Sequence, residues 1–197
     1  MAKKVITLIL AGYLFSIIQS CCINEYDCRW TGFEFQIINN SGKEPTIWDG
    51  NSIINKKAFG FRISMKDTVL YVAQRFSMID ECRATSCGIR LRRLHAATSI
   101  VIKTIYDYSD FFPANSDITS LFRARISENI KEDYATINDV ISYINDPSNN
   151  SYYKKTDDFD LYLIDNTCIG GQQKFEINIF LSDGTILKKQ TDDLLLE

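Results

Sequence analysis

Residues 175–190, with the sequence FEINIFLSDGTILKKQ, decide the fold class of this chain. Their first half places an apolar residue at every second position, which predicts a β-strand with one buried face. A second strand-like run, residues 185–190, follows the turn-forming Ser182-Asp183-Gly184. Because glycine adopts positive φ at little cost, Asp-Gly between two such runs indicates a β-hairpin. The C-terminal part of the chain is therefore predicted to be antiparallel β-structure.

The same pattern recurs along the rest of the chain. Apolar residues alternate with polar ones, or form short β-branched runs, in residues 33–37, 59–65, 69–73, 89–92, 100–106 and 159–163. Roughly six to eight strands of this kind predict a mainly β fold, and an immunoglobulin-like β-sandwich is the first expectation. A β-barrel or an α+β fold is the alternative.

One inserted α-helix is expected to interrupt the strands. Thr136 is a natural N-cap, and Asp139 three residues later completes a capping box. Pro147 ends the helix because the residue before a proline avoids helical backbone angles. The residues between them form a single apolar stripe at helical spacing: Ile137, Val140, Ile141 and Ile144.

The first 20 residues have the layout of an export signal. Lys3 and Lys4 form a basic start, and residues 5–18 are almost wholly apolar. This run is short for a membrane-spanning helix, which needs about 20 residues, and it fits the core of a secretory signal peptide. We therefore predict that residues 1–20 are a signal peptide.

The residues that end this segment resemble a lipid-attachment motif. Ile18-Gln19-Ser20-Cys21 is similar to the lipobox of bacterial lipoproteins, with an aliphatic residue, a small residue and then an obligatory cysteine. The resemblance implies cleavage before Cys21, a diacylglyceryl group on its sulfur and acylation, such as palmitate, on its amino group. Two or three acyl chains hold a protein on a membrane durably. Residues 21–29 are then a lipidated tether, and residues 30–197 form a single β-sandwich-like domain.

Charge limits the classes of partner. The chain has 22 basic and 25 acidic residues, a formal net charge of −3, and removal of the signal peptide with Lys3 and Lys4 makes the rest more acidic. Nucleic-acid binding needs clustered Lys and Arg, so no nucleic-acid partner is expected.

The cysteines suggest disulfides, because an exported compartment permits them. Cys82 and Cys87 flank a turn-prone segment and are the easiest pair. Cys168 could pair with Cys28 or with Cys22, and sequence alone leaves this choice open. The cysteine spacing does not match a usual zinc site, so no metal is predicted.

Further stretches resemble one particular family. The double cysteine after the signal, residues 57–62 (KAFGFR) and residues 111–116 (FFPANS) are similar to an uncharacterised family of small lipoproteins from Bacteroidetes-type bacteria. This resemblance implies a cell-envelope lipoprotein of the outer membrane with no known activity. Asp67-Thr68-Val69 also resembles the O-glycosylation motif of such bacteria, which would place a glycan on Thr68.

No catalytic constellation and no cofactor are predicted. His95 is the only histidine, and we interpret it as a structural residue. Asp158 and Asp160 would share one strand face roughly 6.5–7 Å apart, a pattern that a carboxylate-based hydrolase could use. That face is opposite the apolar one, so a solvated surface is the simpler interpretation. We predict that the chain is not an enzyme.

Aromatic residues give the remaining lead on function. Tyr152 and Tyr153 lie in a polar loop, and four further rings flank the acidic Asp107 and Asp110: Tyr106, Tyr108, Phe111 and Phe112. The alternative interpretation is that these rings fill the core and the strand edges. Exposed aromatic rings can stack on a sugar or on a protein surface. The leading hypothesis is therefore a non-enzymatic envelope lipoprotein that binds a protein or glycan. A structural or assembly role on the periplasmic face and a hydrolase are the alternatives.

Overall fold

The computed structural model describes residues 24–50, 52–70, 89–126, 134–146, 158–164 and 167–197. These residues form eleven strands and one α-helix. In chain order the elements are β1 (Asn24–Asn39), β2 (Thr46–Ile47), β3 (Phe59–Leu70), β4 (Ile89–Arg93), β5 (Ala97–Thr104), β6 (Phe122–Arg125), α1 (Ile137–Asn145), β7 (Asp158–Leu163), β8 (Gly171–Gln173), β9 (Phe175–Leu181), β10 (Ile186–Gln190) and β11 (Leu194–Leu196). Short 3-10 turns at Lys56–Ala58 and Thr119–Leu121 precede β3 and β6.

β1 lies inside the larger sheet, whose order is β2-β1-β3-β7-β6. It pairs with β3 along almost its whole length, from Asp27 opposite Leu70 to Asn39 opposite Phe59, with one bulge at Thr31. β4 pairs in parallel with the beginning of β1, which departs from the antiparallel pairing of all the other strand pairs described.

The predicted tether is wrong for residues 24–29. These residues are the first part of β1 and lie between β3 and β4, which hold them by main-chain hydrogen bonds. Trp30, the next residue, is buried, and the Arg93 guanidinium lies 3.8 Å from the centre of its ring. The folded domain therefore begins only a few residues after Cys21.

The smaller sheet contains the hairpin that the sequence predicts. β9 and β10 are joined by Ser182-Asp183-Gly184, where Gly184 has φ of 85° and Leu181 N donates to Thr185 O at 2.9 Å. The sheet order is β10-β9-β5, and all its pairs are antiparallel. A separate ribbon pairs β8 with β11.

The two sheets pack face to face through aromatic rings. The ring of Phe59 on β3 stacks on Phe175 of β9 with centroids 5.2 Å apart. Phe61, also on β3, contacts Phe175 edge to face and stacks on Phe122 of β6. Such rings bury large apolar areas and dominate core energetics. The predicted mainly β fold, a sandwich with one inserted helix, is confirmed.

The absence of a side chain at Gly60 allows residues of the two neighbouring strands to pack closely over β3 on the outer face of the larger sheet. A Cβ atom at this position would lie 2.6 Å from the Leu161 carbonyl oxygen, 3.1 Å from Tyr162 Cδ1 and 3.2 Å from Ile38 Cγ1. The side chains of Ile38 and Tyr162, both buried, thus approach each other across a residue that has no side chain.

The helix prediction is confirmed in detail. Thr136 caps α1, and the side chains of Thr136 and Asp139 form the capping box. Val140 and Ile144 are buried, and α1 packs against β5 and β6. At the C-terminal end, the Asn145 side chain accepts from Ala97 N at 2.9 Å and donates to Ala97 O at 2.7 Å. Asn145 therefore substitutes for a neighbouring strand at the edge of β5.

Within the described residues, no helix combines the length and the apolar character that crossing a membrane requires.

Candidate functional site

The candidate site is the loop that follows β5, residues 106–113, which we call the tip loop. Thr104 at the end of β5 pairs with Phe175, whose ring stacks on Phe59. Phe59 pairs with Asn39, the last residue of β1. The tip loop thus lies at the end of the sandwich where β1 finishes. The stretch of β1 from Cys28 to Asn39 spans roughly 35 Å at about 3.3 Å per residue.

The centre of the tip loop is a tight turn. Ser109 and Phe112 exchange two main-chain hydrogen bonds, with N···O distances of 3.0 and 3.3 Å. Asp110 and Phe111 therefore occupy the two positions between them. The side chain of Phe111 is largely uncovered, and the residue is 83% exposed. The turn projects a large apolar ring into solvent.

The base of the tip loop is fixed by buried groups. Tyr108 is fully buried, and its ring lies edge to face with Phe112 at 6.3 Å. Tyr108 O accepts from Ile169 N at 3.0 Å, and Asp107 O accepts from the Gln173 side chain at 3.2 Å. These contacts tie the loop to β8 and to the segment before it, so the turn is held by the sandwich rather than by its own residues alone.

Tyr106 lies at the margin of the same surface and is 38% exposed. Its hydroxyl donates to Asp193 Oδ1 at 3.0 Å, and Gln172 donates to the other oxygen of Asp193 at 2.9 Å. The hydrogen bond to Asp193 raises the pKa of the Tyr106 hydroxyl above its ordinary value. Tyr106 therefore remains a neutral donor, oriented by a carboxylate that is itself held in place.

The structure separates the four tyrosines predicted as ligand contacts. Tyr106 is exposed at the tip, but the prediction for Tyr108 is wrong, because its ring is in the core. Tyr152 and Tyr153 lie outside the described residues. Phe111 belongs to the same predicted aromatic group, and the structure makes it the most exposed of the described aromatic residues. Asp110 before it and Pro113 after it are typical of an exposed turn.

Asp160 is not on a solvated face, contrary to the simpler interpretation of its sequence pattern. It is 8% exposed. Arg62 binds both of its oxygens, with two N···O distances of 2.8 Å, and Tyr162 donates to Oδ2 at 2.9 Å. Burial, together with the charge of Asp160, raises the pKa of Tyr162. The arrangement joins β3 to β7, and both Asp160 oxygens are engaged in it.

Of the two partners left open for Cys168, Cys28 is wrong, and Cys22 lies outside the described residues. Cys28 and Cys168 are both buried, but Cys28 lies at the beginning of β1, opposite Val69. The Cys168 carbonyl accepts from Lys56 Nζ at 2.9 Å, close to the other end of β1. A disulfide requires Cα atoms within about 7 Å, and no disulfide joins these two described residues.

Other predicted residues are placed as follows. Thr68 is exposed on β3, opposite Arg29. His95 lies 3.7 Å from Asp183 of the hairpin turn. Cys21, Cys22, Cys82 and Cys87 lie outside the described residues. Within the described part of the chain, no group of three or more His, Cys, Asp or Glu side chains is arranged to hold a metal ion.

Comparisons with known proteins give a family but no activity. A comparison with curated proteins found no match. Among solved structures, the C-terminal domain of the AgI/II polypeptide BspA from Streptococcus agalactiae matches at 7% identity and a TM-score of 0.27, over 84% of this chain and 49% of that chain. A structure described as BspA_C_WT matches at 7% identity and a TM-score of 0.28, over 84% and 50%.

The chain spans about half the length of these structures, and TM-scores this low support no argument about fold or function. The sequence match is much more extensive. Residues 31–192, which include the tip loop and both sheets from the middle of β1 to the end of β10, match the family model described as Domain of unknown function (DUF5034), and the chain belongs to that family.

Proposed function

We propose that this protein is an envelope lipoprotein, anchored through Cys21, whose tip loop binds a protein or glycan partner without catalysing a reaction. The observation that carries the proposal is Phe111, 83% exposed at the centre of a hydrogen-bonded turn. A large aromatic ring held by a hydrogen-bonded turn is the kind of group that dominates binding energy at interfaces.

Neighbouring residues extend the apolar surface around Phe111. Ile169, which bonds to the tip loop through its main chain, is 63% exposed, and Tyr106 adds an accessible ring with an oriented hydroxyl. Burial of one phenylalanine side chain contributes about 1.5–3 kcal/mol. The surface therefore combines apolar area with hydrogen-bonding groups, which suits either a protein side chain or the face of a sugar ring.

The position of the tip loop agrees with anchoring at the N-terminal end. Two residues, Cys22 and Ile23, separate Cys21 from β1, so the chain from Cys21 to Asn24 reaches at most roughly 11 Å. The tip loop lies at the far end of β1. A partner bound there would be held away from the point of lipid attachment, which supports binding to a molecule other than the anchoring membrane.

The test compares Phe111→Ser with a matched substitution, Leu94→Ser. Leu94 is also an exposed apolar residue, but it follows β4 at the other end of the domain. Each purified protein is applied to a glycan array and to immobilised envelope proteins of the source cells. We expect the wild type and Leu94→Ser to retain a common partner and Phe111→Ser to lose it at unchanged thermal stability. Equal binding by all three proteins would refute the role of the tip loop.

Anchoring is tested separately. Cys21→Ala should leave the membrane fraction for the aqueous fraction, and intact cells should show by protease shaving whether the wild-type domain faces outward. If Cys21→Ala sediments with membranes as firmly as the wild type, the lipid-anchor proposal fails, whatever the result for Phe111.

A further inference from the structure

The free edge of the smaller sheet is a second surface, separate from the tip loop. β10 is the last strand of the order β10-β9-β5. The bond from Leu181 N to Thr185 O sets the alternation of the antiparallel ladder, so that Leu187 and Lys189 bond toward β9. The main-chain N–H and C=O groups of Ile186, Lys188 and Gln190 therefore point away from the sheet, and no described residue bonds to them.

There is space beside this edge for the side chains of an added strand. A groove of about 530 Å³ runs along the C-terminal part of β10. Its wall on the β10 side is formed by Lys189 and Gln190, and the opposite wall consists of Glu34, Phe35, Gln36 and Ser64. A chain that pairs with β10 can therefore contact the Phe35 ring and the Ser64 hydroxyl, together with the side-chain amides of Gln36 and Gln190.

The lysines of β10 determine which charge is favourable on a strand that pairs with it. Lys188 and Lys189 are consecutive, so they lie on opposite faces of the strand. Lys188 Nζ lies 2.7 Å from Glu176 on the outer face, whereas Lys189 lies on the groove side, near Glu34, which Lys66 engages. If a second copy of the chain paired through all three outward-pointing residues, Lys188 would face its own equivalent, and like charges directly opposite are destabilising.

We propose that the β10 edge binds an extended, acidic segment of a partner protein as an added β-strand. Main-chain hydrogen bonds to Ile186, Lys188 and Gln190 would supply the affinity, as in other strand-addition complexes. Carboxylates beside Lys188 and Lys189 would supply the selectivity, because opposite charges across strands are favourable. The same lysines protect the edge from pairing with copies of itself.

The test uses a synthetic peptide with two consecutive glutamates between threonines, so that one carboxylate lies on each face of the added strand, titrated against the whole chain. Ile186→Pro removes one outward N–H without breaking the ladder to β9, because proline is tolerated where the N–H faces solvent at a sheet edge. Ile186→Thr is the matched control and retains that N–H. We expect the wild type and Ile186→Thr to bind the peptide. Ile186→Pro should bind it about tenfold more weakly, because one main-chain hydrogen bond is lost and the proline ring obstructs the added strand.

Two further measurements separate pairing from simple charge attraction. On binding, the amides of Lys188 and Gln190 should exchange more slowly with deuterium, and an N-methylated peptide of the same charge should not bind. Lys189→Glu should shift preference from the glutamate peptide to its lysine counterpart, which tests the charge rule even if Ile186→Pro does not fold. Failure of the wild type to bind the peptide, equal binding of the N-methylated peptide, or unchanged preference in Lys189→Glu overturns the proposal.

Discussion

Gly60→Ala is a direct test of how closely the outer face of the larger sheet is packed. The new Cβ would lie 2.6 Å from the Leu161 carbonyl oxygen, a main-chain atom that cannot rotate away, and 3.1 and 3.2 Å from side-chain carbons of Tyr162 and Ile38. The pairing of β3 with β7 would have to open by several tenths of an ångström. Forcing an extra carbon into a packed site costs typically 1–3 kcal/mol.

Part of this cost is offset in the unfolded chain. Replacing glycine by alanine reduces the conformational freedom of the unfolded state, which stabilises a protein by about 0.4–1 kcal/mol where the folded site accepts the change. The expected net loss for Gly60→Ala is therefore about 1–2 kcal/mol. For a chain of this length, that corresponds to a decrease in Tm of roughly 2–8 °C.

Gly32→Ala is the matched control, since Gly32 is also in the larger sheet and a Cβ there would meet no atom within 4 Å. Urea unfolding, followed by tryptophan fluorescence, measures the free energy of unfolding of both variants. Gly32→Ala should equal the wild type or exceed it by up to about 1 kcal/mol. If Gly60→Ala unfolds at the same urea concentration as Gly32→Ala, the close approach of β7 to Gly60 is refuted.

Three other predictions concern stability. Asn145→Ala should lower the free energy of unfolding by about 1–3 kcal/mol in urea titrations, because both main-chain groups of Ala97 lose their partner; an effect below 0.5 kcal/mol would contradict this role. Thr136→Ala removes the N-cap of α1 and should cost about 0.5–2 kcal/mol, whereas Thr136→Ser should restore most of it. Burial opposes ionisation of Glu176, but hydrogen bonds from Lys188, Asn178 and Gln190 outweigh it and lower the pKa of Glu176 to about 2. A carboxyl group with a lowered folded-state pKa stabilises the fold at higher pH, so thermal melts should show stability falling between pH 4.5 and about 2, and Glu176→Gln should lack that part of the decrease.

Elements with a local signal could be predicted from the sequence. Among the described residues, the capping side chains of α1, Thr136 and Asp139, bond to each other and to adjacent main chain, so their spacing is sufficient to predict the cap. The hairpin at Gly184 is equally local, because the turn residues and the alternation of β9 lie within one short segment.

Contacts between distant segments could not be predicted in the same way. The polar face that carries Asp160 has the pattern of a solvated strand, yet Arg62 and Tyr162 cover it once β3 and β7 are paired. Tyr106 and Tyr108 have similar acidic neighbours in the sequence, but only the fold places one at the surface and the other against Phe112. Loop residues have no periodicity from which burial could be read.

The strand order also determines when this chain can fold. Roughly 70 residues separate β5 from its partner β9 in the sequence, and the separation between β3 and its partner β7 is still longer. Pairings between such distant segments form slowly, because the entropy of closing a long loop is lost before the contacts form. The two sheets therefore cannot be completed until the last third of the chain is available. Such a delay is compatible with the export that we propose, because a chain that crosses a membrane does so before it folds.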